Sequence, residues 1–220
     1  MRRVTFVVSA VAVALAASAL LSAPPKGMAA LKLPAAKEGL TCELTFKDGS
    51  RVTFTSKGSS VRPGTYDVKT VVILKQDDKK TLWRMSGSEK MGTLDRFMVD
   101  EGQEKVLDVG PPILFAMRAW RPSATSVVNI TVEASGNCGE VYYPGAYTGA
   151  QPPPPPALQV LDEDGKKVLA TGRLVYSKGT SSYTWQPPAG YKGKFTVQIK
   201  PAMGPFEWKY EESYTGAAVR

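Results

Sequence analysis

Thr41-Cys42-Glu43-Leu44-Thr45-Phe46 runs into Asp48-Gly49 and out again as Arg51-Val52-Thr53-Phe54-Thr55. Apolar Cys42, Leu44 and Phe46 alternate with polar Thr41, Glu43 and Thr45, the period of a strand with one face buried. Asp-Gly between two such runs is a hairpin turn, because glycine adopts the positive φ the turn needs at no steric cost. The same grammar continues outward. Arg62-Pro63-Gly64 leads into a strand over 66–74, and Asp77-Asp78-Lys79-Lys80 turns the chain into 82–85. Leu94 to Val99, Lys105 to Val109 and Ile113 to Trp120 follow, separated by Asp100-Glu101-Gly102 and Gly110-Pro111-Pro112. Val127 to Glu133 is a further strand. After a Pro-rich connection (144–157) come Leu158 to Leu161, the turn Asp164-Gly165, Lys167 to Tyr176, Tyr183 to Trp185, and Lys194 to Lys200. Turns every eight to twelve residues, with no long window at period 3.6, predict an all-β protein of antiparallel sandwich type.

The 220 residues hold 43% apolar and 22% charged side chains, enough for a packed core. Two small β-sandwich modules are expected, 40–122 and 123–210, with the alternative boundary at the prolines. Pro152 to Pro156 read as an extended spacer, because proline donates no ladder hydrogen bond. Residues 24–39 carry Pro, Ala and Lys without a period and read as a tether, and 211–220 as a loose tail.

Residues 1–23 read as a secretory signal: Met1-Arg2-Arg3 is basic, Val4 to Leu21 is apolar and Ala/Val-rich, and small residues follow. The cut could fall after Ala19, Ala23 or Ala30. No other stretch approaches membrane length, so export to the periplasm, cell surface or medium is expected, with no membrane span after cleavage. The two cysteines of an exported chain are expected to pair, Cys42 with Cys138. Such a bridge closes a loop of about a hundred residues and is worth about 4–5 kcal/mol in the chain-entropy model. Two buried free thiols are the alternative.

The chain has no histidine. That removes Ser-His and Cys-His nucleophile pairs, His-ligated metals and the usual base near neutral pH. Gly-x-Ser-x-Gly and Ser-x-x-Lys are also absent. Asp162-Glu163-Asp164-Gly165 resembles the start of a calcium loop, but Leu174 stands about where a bidentate Glu belongs, so a hairpin turn is the expectation. No metal and no cofactor is expected. The net charge of +8 favours anionic partners, yet the lysines are scattered through turns without a basic stripe, which argues against nucleic acid.

Aromatic side chains are the remaining lead. Tyr142, Tyr143 and Tyr147 cluster beside the proline run, and Trp185 lies near Tyr191, Trp208 and Tyr210. Flat rings on loops can stack on sugars or pack a protein partner. Tyr142, Tyr143, Tyr147 and Trp185 are therefore the expected ligand-binding residues, with capping of a core as the competing role, above all for Trp185. If the tyrosines bind, they should form one exposed patch. The function read from this is a non-catalytic interaction or adhesion module of the cell envelope or extracellular space, recognising polysaccharide or another envelope protein. The alternative is an accessory hydrolase of envelope polysaccharide, which requires two carboxylates facing each other about 5–10 Å apart.

Pro63-Gly64-Thr65-Tyr66-Asp67-Val68 and Pro188-Ala189-Gly190-Tyr191 ahead of Phe195-Thr196-Val197 both set a Pro/Gly turn before an aromatic-led strand. Together with Asp162-Glu163-Asp164-Gly165-Lys166-Lys167-Val168, this turn chemistry resembles carboxypeptidase regulatory-like modules, the small transthyretin-like or Ig-like β-sandwiches of exported bacterial proteins. The resemblance covers half of the mature chain and implies a fold and an adhesive or accessory role. The Gly-x-Phe/Tyr strand of that family is not evident between the two motifs.

Overall fold

Alternation along the chain becomes strands wherever it was legible, and the computed structural model is all-β, 51% strand and 3% helix. It describes residues 24–122, 126–152, 154–191, 193–210 and the backbone of 215–216. The expected leader, 1–23, and most of the expected tail lie outside the described residues.

The first half supplies β1 (Ala29–Lys32), β2 (Leu40–Phe46), β3 (Arg51–Phe54), β4 (Ser59–Val61), β5 (Gly64–Gln76), β6 (Leu82–Gly87), β7 (Arg96–Val99) and β8 (Glu104–Val106). β2 and β3 form the hairpin around Asp48-Gly49, with Cys42 opposite Phe54 and Leu44 opposite Val52. Gly49 has φ +87°, and Asp48 accepts from the backbone N–H and hydroxyl of Ser50. They belong to a sheet ordered β3-β2-β5-β6, with β7 also on β5; a second sheet is β4-β1-β8.

The second half supplies β9 (Ile113–Trp120), β10 (Val128–Ser135), β11 (Val141–Tyr142), β12 (Ala157–Asp162), β13 (Val168–Arg173), β14 (Val175–Ser177), β15 (Thr180–Trp185), β16 (Phe195–Ile199), β17 (Trp208–Tyr210) and β18 (Thr215–Gly216). One sheet is β14-β15-β10-β9-β17, with β11 on β10, and the other is β13-β12-β16-β18. The Asp162–Lys167 segment is a hairpin turn: Gly165 has φ +68°, and the Asp162 carboxylate accepts from the amides of Lys166 and Lys167.

Three expectations about organisation change. Residues 29–32, assigned to a tether, form β1, because Ala29, Leu31 and Leu33 alternate with polar neighbours and are fully buried. The signal was hidden by alanine's small apolar surface and by the flanking prolines. Ile113–Trp120, assigned to the first module, pairs with β10 and, in parallel, with β17, so no sheet boundary falls at 122. The buried apolar side chains of both halves form one cluster. Finally, Thr215–Gly216 in the expected loose tail pairs with Phe195–Thr196.

Candidate functional site

The segment after β10 joins the two halves. Its backbone runs along the first half through hydrogen bonds from Thr93 N–H to Cys138 O (2.8 Å), Val141 N–H to Lys90 O (2.8 Å) and Tyr143 N–H to Ser86 O (2.8 Å). Arg84 and Tyr147 exchange both backbone bonds, at 2.8 and 3.0 Å. At its centre Glu140 is fully buried. Glu140 Oε1 accepts from Gly110 N–H (2.6 Å) and from the Tyr142 hydroxyl (2.9 Å), while buried Oε2 has no hydrogen-bond partner among the described residues. Gly136 must be glycine here, because a Cβ would lie 2.1 Å from Glu140 Oε1. Beside it, Lys37 Nζ donates to Val109 O (2.7 Å) and pairs with Asp108 (2.6 Å), which also accepts from Asn137 (3.0 Å).

Burial raises the Glu140 pKa against the opposing pull of Gly110 N–H, Tyr142 and Lys37. Burial also raises Cys42 and Tyr142 well above their ordinary ranges and Cys138 less far, with the Glu140 charge as a further cause in each case. A raised thiol pKa leaves little thiolate and makes a poor nucleophile. With Glu140, Tyr142 and Cys42 buried at its centre, this cluster ties the two halves together.

The aromatic expectation is corrected in the same place. Tyr142 and Trp185 are buried and present no ring face to a ligand. Trp185 packs edge-on against Tyr191 (5.7 Å) and Phe195 (5.0 Å) as a core residue. Tyr143 is half-buried against Tyr176 at 4.9 Å, and half-buried Tyr147 donates to Ser86 Oγ (3.0 Å) under the Arg84 guanidinium. The three tyrosines therefore make no contiguous exposed patch. Tyr142 ends β11 and is buried, whereas Tyr143 lies just past it and is half-buried, so adjacency in sequence does not keep them on one surface. Cys42 is buried and Cys138 half-buried; both are free thiols, and Cys138 is among the groups that push the Cys42 pKa up.

Of the exposed large apolar side chains, Trp120 and Val175 lie on the outward face of the six-stranded sheet. In β9, Ile113, Phe115 and Met117 turn inward, so Arg118 and Trp120 turn outward and are exposed, Trp120 by 48%. The register aligns Trp120 with Asn129 and Thr184, and Arg118 with Thr131, Ser182 and Val175. Thr184 donates to Asn129 Oδ1 (3.2 Å). Arg118, Thr131, Glu133, Thr180, Ala116 and Lys90 line a shallow cleft of about 330 Å³. Lys90, from the turn after β6, neutralises Glu133. Among the described residues the Arg118 side chain has no ion pair or hydrogen bond. A second, more open cleft of about 450 Å³ surrounds half-buried Trp83, whose indole N–H donates to Asp77 (3.0 Å) and whose ring lies against Gly204.

An exposed indole beside amide, hydroxyl and guanidinium groups on a rigid sheet can stack on a flat apolar surface and hydrogen-bond its polar rim. The sequence predicts a strand over Ile113–Trp120 but does not by itself say what its outward side meets. The usable signal was parity: with Ile113, Phe115 and Met117 inward, residues 118 and 120 must share the opposite face. Among the described residues no helix is long and apolar enough to cross a membrane, and no cluster of three acidic or cysteine side chains could hold a metal ion. No family model, curated protein or solved structure matches the chain.

Proposed function

We propose that this is an exported, non-catalytic recognition protein of the cell envelope or extracellular space, and that it binds polysaccharide on the outward face of the six-stranded sheet. The observation that carries the reading is exposed Trp120 two residues from unpartnered Arg118, in a row with Asn129, Thr131, Ser182 and Thr184. Rings on a flat strand face lose little entropy on stacking, because the scaffold already holds them. The non-catalytic part draws support from Glu140, whose burial favours its protonated form but which lines neither of the two clefts described above, and from Glu133, which is tied to Lys90.

The proposal includes the leader over 1–23, two sandwich-like modules of Ig-like type and a Cys42–Cys138 disulfide formed on export. Support for the modules comes from the four sheets, of which two are drawn from 29–106 and two from 113–216. Support for the bridge is the nearness of Cys138 to buried Cys42, whose thiol pKa it helps to raise. The intact mass of the exported protein, measured without reductant, reads both the cut and the loss of two hydrogens. A retained leader or two alkylatable thiols would remove these parts.

The binding claim is tested on a glycan array with the protein lacking residues 1–23 and its Trp120→Ala variant. Retention on polysaccharide spots should fall at least about fivefold in the variant, as expected when a stacked aromatic contact worth about 1–3 kcal/mol is lost. Equal retention by both proteins, or retention by neither, overturns the assignment of this face.

A further inference from the structure

The charge left uncompensated on the outward face narrows the class of polysaccharide. On the Ala116–Glu133–Thr180 row the carboxylate is already neutralised by Lys90. On the next row Arg118 stands exposed, with Thr131 and Ser182 in register and no anionic partner among the described residues. Lys209 extends the positive side, aligned with Leu114 at the β17 edge. A neutral glycan covering Arg118 would strip water from a guanidinium and return no charge, whereas a carboxylate can accept two parallel N–H bonds from it. Residues 118 and 120 lie about 7 Å apart on the same strand face. A ring stacked on Trp120 therefore leaves its own or its neighbour's carboxylate within reach of Arg118.

Resting on the polysaccharide reading above, we infer that this face takes an acidic polysaccharide, one with sugar carboxylates, and that Arg118 is its anion contact. A nucleic-acid strand would also offer anions and stacking faces, but it needs a run of cations along its backbone. Here the guanidinium is flanked by the Lys90–Glu133 pair, and Glu89 lies in the adjoining turn beside Gly179.

Affinity electrophoresis of the leaderless protein separates the possibilities, with gels containing polygalacturonate, hydroxyethylcellulose or single-stranded DNA. Polygalacturonate should retard the protein, less so as salt rises. Arg118→Gln should weaken this at least about tenfold, and Arg118→Lys, which keeps charge but not the two-pronged geometry, should restore only part. Arg118 has no partner to lose, so the variants' thermal unfolding should match the parent and exclude misfolding as the cause. Equal retardation by hydroxyethylcellulose, unaffected by Arg118→Gln, overturns the acidic class while leaving polysaccharide recognition standing. Retardation by neither polysaccharide removes both readings. DNA retarding as strongly as polygalacturonate overturns the inference in favour of a general polyanion surface.

Discussion

Glu140 offers the sharpest test of how the halves are joined. Glu140→Ala removes the acceptor for two buried donors, Gly110 N–H and the Tyr142 hydroxyl. A buried donor left unpaired costs about 1–3 kcal/mol, so the variant should lose about 2–6 kcal/mol at pH 5. Glu140→Gln keeps an oxygen for both donors and places an amide where Oε2 has no partner, so its loss at pH 5 should be smaller. The pH dependence separates the variants further. Burial raises the folded-state pKa above that of the unfolded chain, about 4.3, so this carboxyl stabilises the fold fully below the unfolded value. That contribution disappears as pH rises through the folded value. Glu140→Gln does not titrate there, so its deficit against the parent should shrink from pH 5 to pH 8, by about 1.4 kcal/mol for each pKa unit of elevation, and can reverse sign. Lys37, Asp108, Cys42, Cys138 and Tyr142 also surround the site. They are common to both proteins, and the thiols and phenol titrate above this range because their pKa values are raised. Urea unfolding at pH 5, 6, 7 and 8 measures the difference. A Gln deficit that is constant or grows with pH would mean that Glu140 is ionised and held by Lys37, and the argument from burial would be wrong.

Two other substitutions probe neighbouring claims. Leu31→Ala should cost about 2–5 kcal/mol in urea unfolding, because the side chain is fully buried in β1; a change within about 0.5 kcal/mol would return 24–39 to the status of a tether. Gly136→Ala should destabilise the protein by more than about 2 kcal/mol, since its methyl must displace the Glu140 carboxylate, whereas Gly149→Ala meets nothing within 4 Å and serves as the control. Equal melting temperatures for the two alanine variants would refute the close approach at residue 136.

Strand positions were legible wherever an apolar run alternated over five or more residues. β2, β3, β5, β9, β10, β12 and β16 are of this kind. Some short strands escape, for physical reasons. β4 and β17 have three residues each, too few to display a period, and β11 has two. Pairing partners were a different matter. Alternation says which side of a strand is apolar but not which strand lies beside it, so β9 was grouped with the chain before it rather than with β10 and β17. The aromatic site was misplaced by the same gap. Tyrosines close in sequence need not be close on the surface, and Tyr142 goes inward to Glu140. Glu140 itself carried no signal, because a single Glu after Asn-Cys-Gly looks like any turn residue until Gly110 arrives from thirty positions away.

β1 limits how far the front of the chain can be trimmed. Its first rung seats Ala29 opposite Val61, and its second links Ala30 to both Ser60 and Glu104. A peptidase cutting after Ala30 would discard both rungs and leave Leu31 to begin the protein with a charged amine beside the interior. Cuts after Ala19 or Ala23 would spare the whole strand, so of the three positions only the last would trade processing against the seat of β1.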